Sequence, residues 1–306
     1  MEHVRFALPF HTVFYTPHHL AVALGYFVEE GLEVEQAMPA PPNGVARALL
    51  AGEADVGLSG PIRALGALDR GEGHLVCVAE INSRVGFFLL GRSVSHDFAW
   101  RDLVGRRVLV FAEAPTPRLC LEYLLERHGI RVASVDLVAD MPAAQAVERF
   151  LAGRADYLLQ GQPIAERLLT SGRAHVAVAL GSALGPMACS AYLVTPRLVS
   201  ERPHVVDAVL RALYRAQRWL HRQTPDEIAV RVARAFPGED RTVLTAAIRR
   251  YLAGKTWAPD PILRRPGFDA LQEVLLLRGF VKRSHPYDAV VDAGRAEAAV
   301  KAVGTA

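Results

Sequence analysis

The sequence predicts an α/β protein of two similar lobes, each built as strand–helix–strand–helix–strand. Three observations carry this reading. Residues 51–62 read AGEADVGLSGPI, and residues 152–164 read AGRADYLLQGQPI. Thr16-Pro17 and Thr116-Pro117 each open an apolar-periodic segment, and each follows a strand-like run, at 4–9 and 107–112. Both segments end at a glycine, Gly31 or Gly129, before a second strand at 32–36 or 130–138. The features recur in the same order, which marks an internal repeat of one supersecondary unit.

Each element has a local reason. Threonine caps the free N–H groups of a helix start, and proline at the first helical position loses no bond. Glycine takes the left-handed conformation that closes a helix. Strands joined through such helices run parallel with right-handed crossovers. Short third strands are expected at 55–58 and 156–159, with further strands at 75–81, 86–91 and 189–194. Beyond Thr195-Pro196 the pattern is helical. A helix from Ser200 or Glu201 to Gln223 carries the stripe Val205, Val206, Val209, Leu210, Leu213 and Trp219. Thr224 and Glu227 form a capping box for the next helix, and helices are expected at 241–252 and 268–278 before Gly279. Lobe 1 is expected to comprise 1–90 and 190–306, with the C-terminal helices on it, and lobe 2 to comprise 91–189. The passages between them fall near 84–92 and 189–196, and the lobes are expected to hinge there.

Composition narrows the function. The 306 residues suit two lobes, and 51% hydrophobic with 22% charged residues is enough to bury a full core. No apolar run approaches the roughly 20 residues of a membrane span, so no membrane insertion is expected. The formal charge of +3 is small and dispersed, which argues against nucleic acid. Only Lys255, Lys282 and Lys301 are lysines; the arginine excess fits a GC-rich genome. Cys77, Cys120 and Cys189 match no metal, redox or disulfide spacing, so no metal and no cofactor are expected. Cys77 and Cys120 read as buried, inert thiols. The chain enters its first strand at once, without a leader-like segment. It is expected to be periplasmic if a leader has been removed and cytoplasmic otherwise.

Ligands of open α/β sheets bind beyond the carboxyl ends of the strands, and two such lobes enclose a cleft. The first loop offers Phe10, His11, Phe14 and Tyr15 for stacking or hydrogen bonding. Of His18 and His19 in the next helix, one is expected to be exposed. Ser59 and Gln160 hold equivalent places beside Gly60 and Gly161, where backbone N–H groups approach a ligand. Asn82 and Arg84 precede the first passage, in a hinge or a ligand role, and Gln162 and Met187 flank the second lobe's loops. Thr116 and Arg118 lie at a helix start, where a cation opposes the helix dipole unless an anion offsets it. These residues point to a small organic ligand, anionic or heteroaromatic, with Arg118, and beside it Arg84, His11 or His18, as cationic donors. Glu113 is the opposing signal, because a carboxylate there would recognise an amine.

Residues 21–34, AVALGYFVEEGLEV, resemble the signature A-x₃-GYF-x-EEGL-x-V of a family of ABC-transporter solute-binding proteins. That family takes nitrate, sulfonates, taurine and the pyrimidine precursor of thiamine. ALLAGEAD at 48–55, DLVGRRV at 102–108, and Gly279 followed by PYDAVVD at 286–292 extend the similarity over nearly the whole chain. The resemblance implies a type II periplasmic-binding-protein fold whose two lobes close on a small ligand. It implies a non-catalytic, monomeric binder that delivers its ligand to ABC permease subunits. The alternative is a cytoplasmic enzyme or ligand sensor on the same fold, of pyrimidine-synthase or desulfinase type. The first loop departs from both relatives: it lacks the tryptophan of the pyrimidine binders, and Thr12 stands nearest the desulfinase cysteine.

Overall fold

The sequence repeat becomes two five-stranded sheets of matching order. The computed structural model describes residues 1–39, 44–93 and 97–304. Its strands are β1 (Glu2–Ala7), β2 (Leu32–Ala37), β3 (Val56–Ser59), β4 (Val76–Asn82) and β5 (Phe87–Gly91). They continue with β6 (Arg107–Phe111), β7 (Asp136–Met141), β8 (Tyr157–Gly161), β9 (His175–Ala179) and β10 (Ser190–Val194). The first sheet runs β2-β1-β3-β10-β4 and the second β7-β6-β8-β5-β9. β1 is parallel to β2 and β3, and β6 to β7 and β8. The strand arriving from the other half, β10 or β5, lies antiparallel to both of its neighbours. This is the two-lobed α/β architecture of the type II periplasmic-binding proteins.

Several boundaries differ from expectation, each for a physical reason. β5 belongs to the second sheet, so the chain leaves the first sheet at 83–86 rather than near 90. Its apolar run shows a strand but carries no mark of which sheet receives it. β7 starts only at Asp136, after a short 3-10 turn at Val132–Ser134. Gly25, at φ +74°, divides the first expected helix into Thr16–Ala23 and Tyr26–Glu29. Thr16 does not cap: Tyr15 holds that position, and the Thr16 hydroxyl donates to the Val13 carbonyl at 2.7 Å. Thr116 likewise lies inside the first turn of helix Pro115–Arg127. The helix expected from 200 is two helices, Pro196–Glu201 and Pro203–Leu220. Arg202 leaves the helical region, and Pro203 can begin a helix but not continue one. The Thr224–Glu227 capping box forms as expected.

Helix Pro203–Leu220 packs on Thr16–Ala23 and on the final helix Ala293–Gly304, covering the first lobe. Two other C-terminal helices touch both lobes. Arg241–Ala253 reaches helix Ile164–Thr170, and Arg265–Leu277 reaches Pro115–Arg127. Polar ties follow these contacts: Arg250 grips Glu166 with two bonds of 2.7 and 3.0 Å, and Tyr123 donates to Glu273 at 2.9 Å.

The buried side chain of Asn82 joins both passages to the first loop. Its Nδ2 donates to the Phe14 carbonyl at 3.0 Å, and its Oδ1 accepts the Ser190 hydroxyl. Its backbone carbonyl accepts from the Cys189 N–H at 3.0 Å. Asn82→Ala strands the Ser190 hydroxyl and removes one donor from the Phe14 carbonyl, so it should cost about 2–3 kcal/mol. Urea titration should show a lower midpoint at an unchanged slope; an unmoved midpoint would deny Asn82 this joining role.

Three buried ionisable groups set a pH dependence. Burial pulls His18 down to about 4 and, with His18 and His11 nearby, His19 down to about 3. Burial pushes Glu80 up to about 8. Below 6.5 the unfolded chain takes up protons at the two histidines that the folded chain refuses, so stability falls with falling pH. Between 4.5 and about 8 the folded chain keeps a proton on Glu80 that the unfolded chain releases, so stability falls with rising pH. Two histidines outweigh one glutamate below pH 6.5, and Glu80 acts alone above it. Denaturation at graded pH should therefore give maximal stability near pH 6.5. Glu80→Gln should flatten the alkaline side and steepen the acid side between 4.5 and 6.5, where the glutamate had opposed the histidines; an alkaline decline that survives the substitution would contradict this assignment.

Candidate functional site

Aromatic rings from both lobes form one wall of the cleft. Phe10 and Phe14 each lie 6.0 Å from Tyr15, Phe14 lies 5.9 Å from Phe87, and Phe87 lies 5.5 Å from Phe111, centroid to centroid. Gly86 permits this closeness: a Cβ there would sit 2.5 Å from the Phe14 ring. Around the wall lie three cavities that share Glu113. The central one, about 50 Å³, is bounded by Phe14, Tyr15, Ser59, Arg63, Thr116 and Cys189. A cavity of about 570 Å³ is bounded by the Phe10, Phe87, Phe111 and Phe236 rings and by Gln160, with Arg167, Arg234 and Glu239 also on its wall. A polar one of about 800 Å³ includes Arg63, Arg118 and Phe280.

The polar groups on these walls are unevenly satisfied. Arg63 sits in the first turn of helix Ile62–Arg70, half-buried, and its guanidinium hydrogen-bonds to none of the described residues. Burial lowers its pKa, and Tyr15 offsets part of that. Glu113 follows β6; its Oε1 accepts from the Ala143 N–H at 2.9 Å, at the start of helix Ala143–Leu151. Its Oε2 is buried with no partner among the described residues. Gln160, at the end of β8, accepts from the Gly161 N–H at 3.1 Å through Oε1, while its buried Nε2 has no partner among the described residues. Burial pushes the Cys189 thiol up to about 12 and raises the Tyr15 hydroxyl as well. Among the described residues, no cluster of three His, Cys, Asp or Glu side chains suits a metal ion.

The structure gathers Phe10, His11, Phe14, Tyr15, Ser59, Thr116, Arg118, Gln160 and Gln162 on the cavity walls. Two of these are committed elsewhere. The Gln162 amide donates to Glu166 at 3.1 Å, and Arg118, 45% exposed, pairs with Glu122 at 3.2 Å. Four expected residues stand apart from these walls. His18 is 0% exposed in the core, with Nδ1 2.7 Å from the Tyr192 hydroxyl and Nε2 3.0 Å from Gln36 Oε1. His19 is buried too, because two C-terminal helices, Pro203–Leu220 and Pro225–Val232, cover this short helix. Asn82 serves the passages described above. Arg84 donates to the Gly181 carbonyl at 3.2 Å, and Met187 is buried with its N–H bonded to the Ser83 carbonyl at 2.9 Å. Sequence reasoning missed Arg63, Phe87, Phe111 and Phe236. Arg63 carried a signal, since it follows Ser59-Gly60 into a helix start, the same setting that singled out Arg118. Phe236 carried none.

A family model described as "NMT1/THI5 like" matches residues 11–228. A protein of Bacillus subtilis named "Putative binding protein YtlA" is 25% identical over 300 residues, covering 96% of this chain and 89% of its own. The alkanesulfonate-binding protein of Xanthomonas axonopodis pv. citri, solved with MOPS bound, superposes with a TM-score of 0.75 at 19% identity, covering 95% of this chain and 98% of its own. A desulfurization enzyme, DSZB, superposes at 0.71 with 17% identity, covering 99% of both chains.

Proposed function

The chain belongs to the NMT1/THI5-like family, and from that premise we propose that it captures a small organic anion in the interlobe cleft and delivers it to the permease subunits of an ABC importer. In this reading the protein works as a monomer outside the cytoplasmic membrane, and none of its described helices is long and apolar enough to cross that membrane. The observation that carries the proposal is Arg63. A half-buried guanidinium in the first turn of a helix opposes the dipole, hydrogen-bonds to none of the described residues, and borders two cavities. An anion placed there relieves both the dipole conflict and the missing hydrogen bond, and arginine binds carboxylate or sulfonate through two bonds. The aromatic cavity of about 570 Å³ holds an apolar body, which favours an organic ligand over a bare ion.

Thermal-shift screening of organic sulfonates and carboxylates should identify a binder, to be followed by calorimetry. Arg63→Gln should weaken binding by about 30- to 150-fold, the loss of one charged contact in a dry cleft. Arg118→Ala should stay within about threefold, because Glu122 already answers its charge in water. Equal affinities for Arg63→Gln and the wild type would remove the anion from this site.

The lobes are proposed to close about 83–86 and 185–189. Small-angle scattering should show a smaller radius of gyration at saturating ligand. Arg250→Ala, which frees Glu166, should enlarge the ligand-free protein and weaken binding although Arg250 is outside the aromatic wall. Unchanged scattering in both comparisons would refute closure.

A further inference from the structure

We infer that the ligand carries a carboxamide-type group, with an N–H donor and a carbonyl acceptor, and that Glu113 and Gln160 read it. The inference rests on the cleft being the ligand site and adds the second recognition element of the ligand.

Two buried polar atoms of opposite character carry it. Glu113 and Gln160 leave the carboxyl ends of β6 and β8, adjacent strands paired in register through Val110 and Leu159. Both line the same aromatic cavity. Each is anchored by one atom to a backbone N–H: Glu113 Oε1 to Ala143, Gln160 Oε1 to Gly161. The anchors leave Glu113 Oε2 as a pure acceptor and Gln160 Nε2 as a pure donor, both buried and unpartnered among the described residues. Gln160 is only 3% exposed, so solvent at the rim does not serve it. Buried polar groups nearly always find partners; the Phe10, Phe87, Phe111 and Phe236 rings beside them supply none, while on the same wall Arg167 is paired with Glu239 and the Thr12 hydroxyl donates to the Gln162 carbonyl.

A ligand with only acceptor oxygens would satisfy Gln160 and meet the Glu113 carboxylate as a like charge. An ammonium would satisfy Glu113 and leave Gln160 empty. A carboxamide serves both, while the anionic end of the same molecule goes to Arg63. Sites built around a specific donor reject analogues that lack it, because the buried partner is then left unpaired.

Calorimetry with matched probes tests this: benzenesulfonate, its 3- and 4-carbamoyl derivatives, and the corresponding acetyl compounds, in which methyl replaces the amide NH₂. The better carbamoyl isomer should bind the wild type at least about 30-fold more tightly than its acetyl partner. In Glu113→Gln the new NH₂ faces the ligand NH₂, so the preference should vanish or reverse, and benzenesulfonate should bind more tightly without the like charge. Gln160→Met, which keeps the bulk and loses the donor, should weaken the carbamoyl compound about tenfold. If carbamoyl and acetyl compounds bind the wild type equally, or Glu113→Gln keeps the preference, the amide inference fails and capture of an organic anion at Arg63 stands. If neither these sulfonates nor the matching benzoates bind, the reading of the cleft fails and the inference falls with it.

Discussion

The geometry of the cleft is referenced to one backbone carbonyl, that of Phe14. Asn82 Nδ2 and Trp257 Nε1 both donate to it at 3.0 Å, so both of its lone pairs are taken. Each donor is itself held. Asn82 closes the end of β4, and the segment around Trp257 is strapped along that end by bonds from the Ala258 N–H to Ile81 and from the Ser83 N–H to Thr256. The Phe14 ring then lies against Gly86 and 5.9 Å from Tyr251, whose hydroxyl donates to the Gly86 carbonyl at 2.8 Å. A loop free to move would place Phe10 and Tyr15 nowhere in particular. Distant segments converging on one buried carbonyl place them within the wall that a ligand meets.

What the sequence made legible follows from how local each decision is. Gly31 and Gly129 close their segments because positive φ is cheap only for glycine, and the Thr224–Glu227 box needs no tertiary partner. The internal repeat was visible for the same reason, since each unit solves the same local problem. Choices made by tertiary partners were not visible. Nothing within 86–91 says that this strand inserts between β8 and β9. Nothing near His18 shows that Tyr192 and Gln36 will take its two nitrogens. The two arginines are the instructive case. Arg118 has Glu122 four residues on, a pair that a helix brings together, whereas Arg63 has Gly66 and Ala67 at the equivalent positions. The absence of a helical partner for Arg63 was therefore already legible in the spacing.

The same scaffold carries a sulfonate-binding protein and a desulfurization enzyme, so the chemistry of a member lies in its cleft side chains. Covalent chemistry needs a nucleophile held by a base that lowers its pKa. Here the cleft thiol, Cys189, is pushed up to about 12 by burial. His18 and His19 are pulled down to about 4 and 3, well below the range of an effective base at neutral pH, and neither lines the cavities. His11, which does line a cavity wall, is exposed and lies on a different cavity from Cys189. These environments give the Cys189 thiol no activating histidine among the described residues.

The distribution of the recognition groups makes closure and selectivity a single free-energy difference. Lobe 1 contributes Arg63, Phe10, Phe14 and Tyr15; lobe 2 contributes Phe87, Phe111, Glu113 and Gln160. A molecule that touches one lobe binds the open and closed forms equally and shifts nothing, however tightly it is held. Only a ligand that spans the aromatic wall gains contacts on closing. The Arg250–Glu166 tie sets how far the resting equilibrium already leans toward closure. A stronger tie would raise affinity for every ligand alike and weaken the contrast between them, whereas unpaired groups on both lobes reserve the gain for a ligand that fits both. In the proposed site, a buried carboxylate oxygen in lobe 2 and a guanidinium in lobe 1, both without hydrogen-bond partners among the described residues, are the arrangement that would give such a contrast.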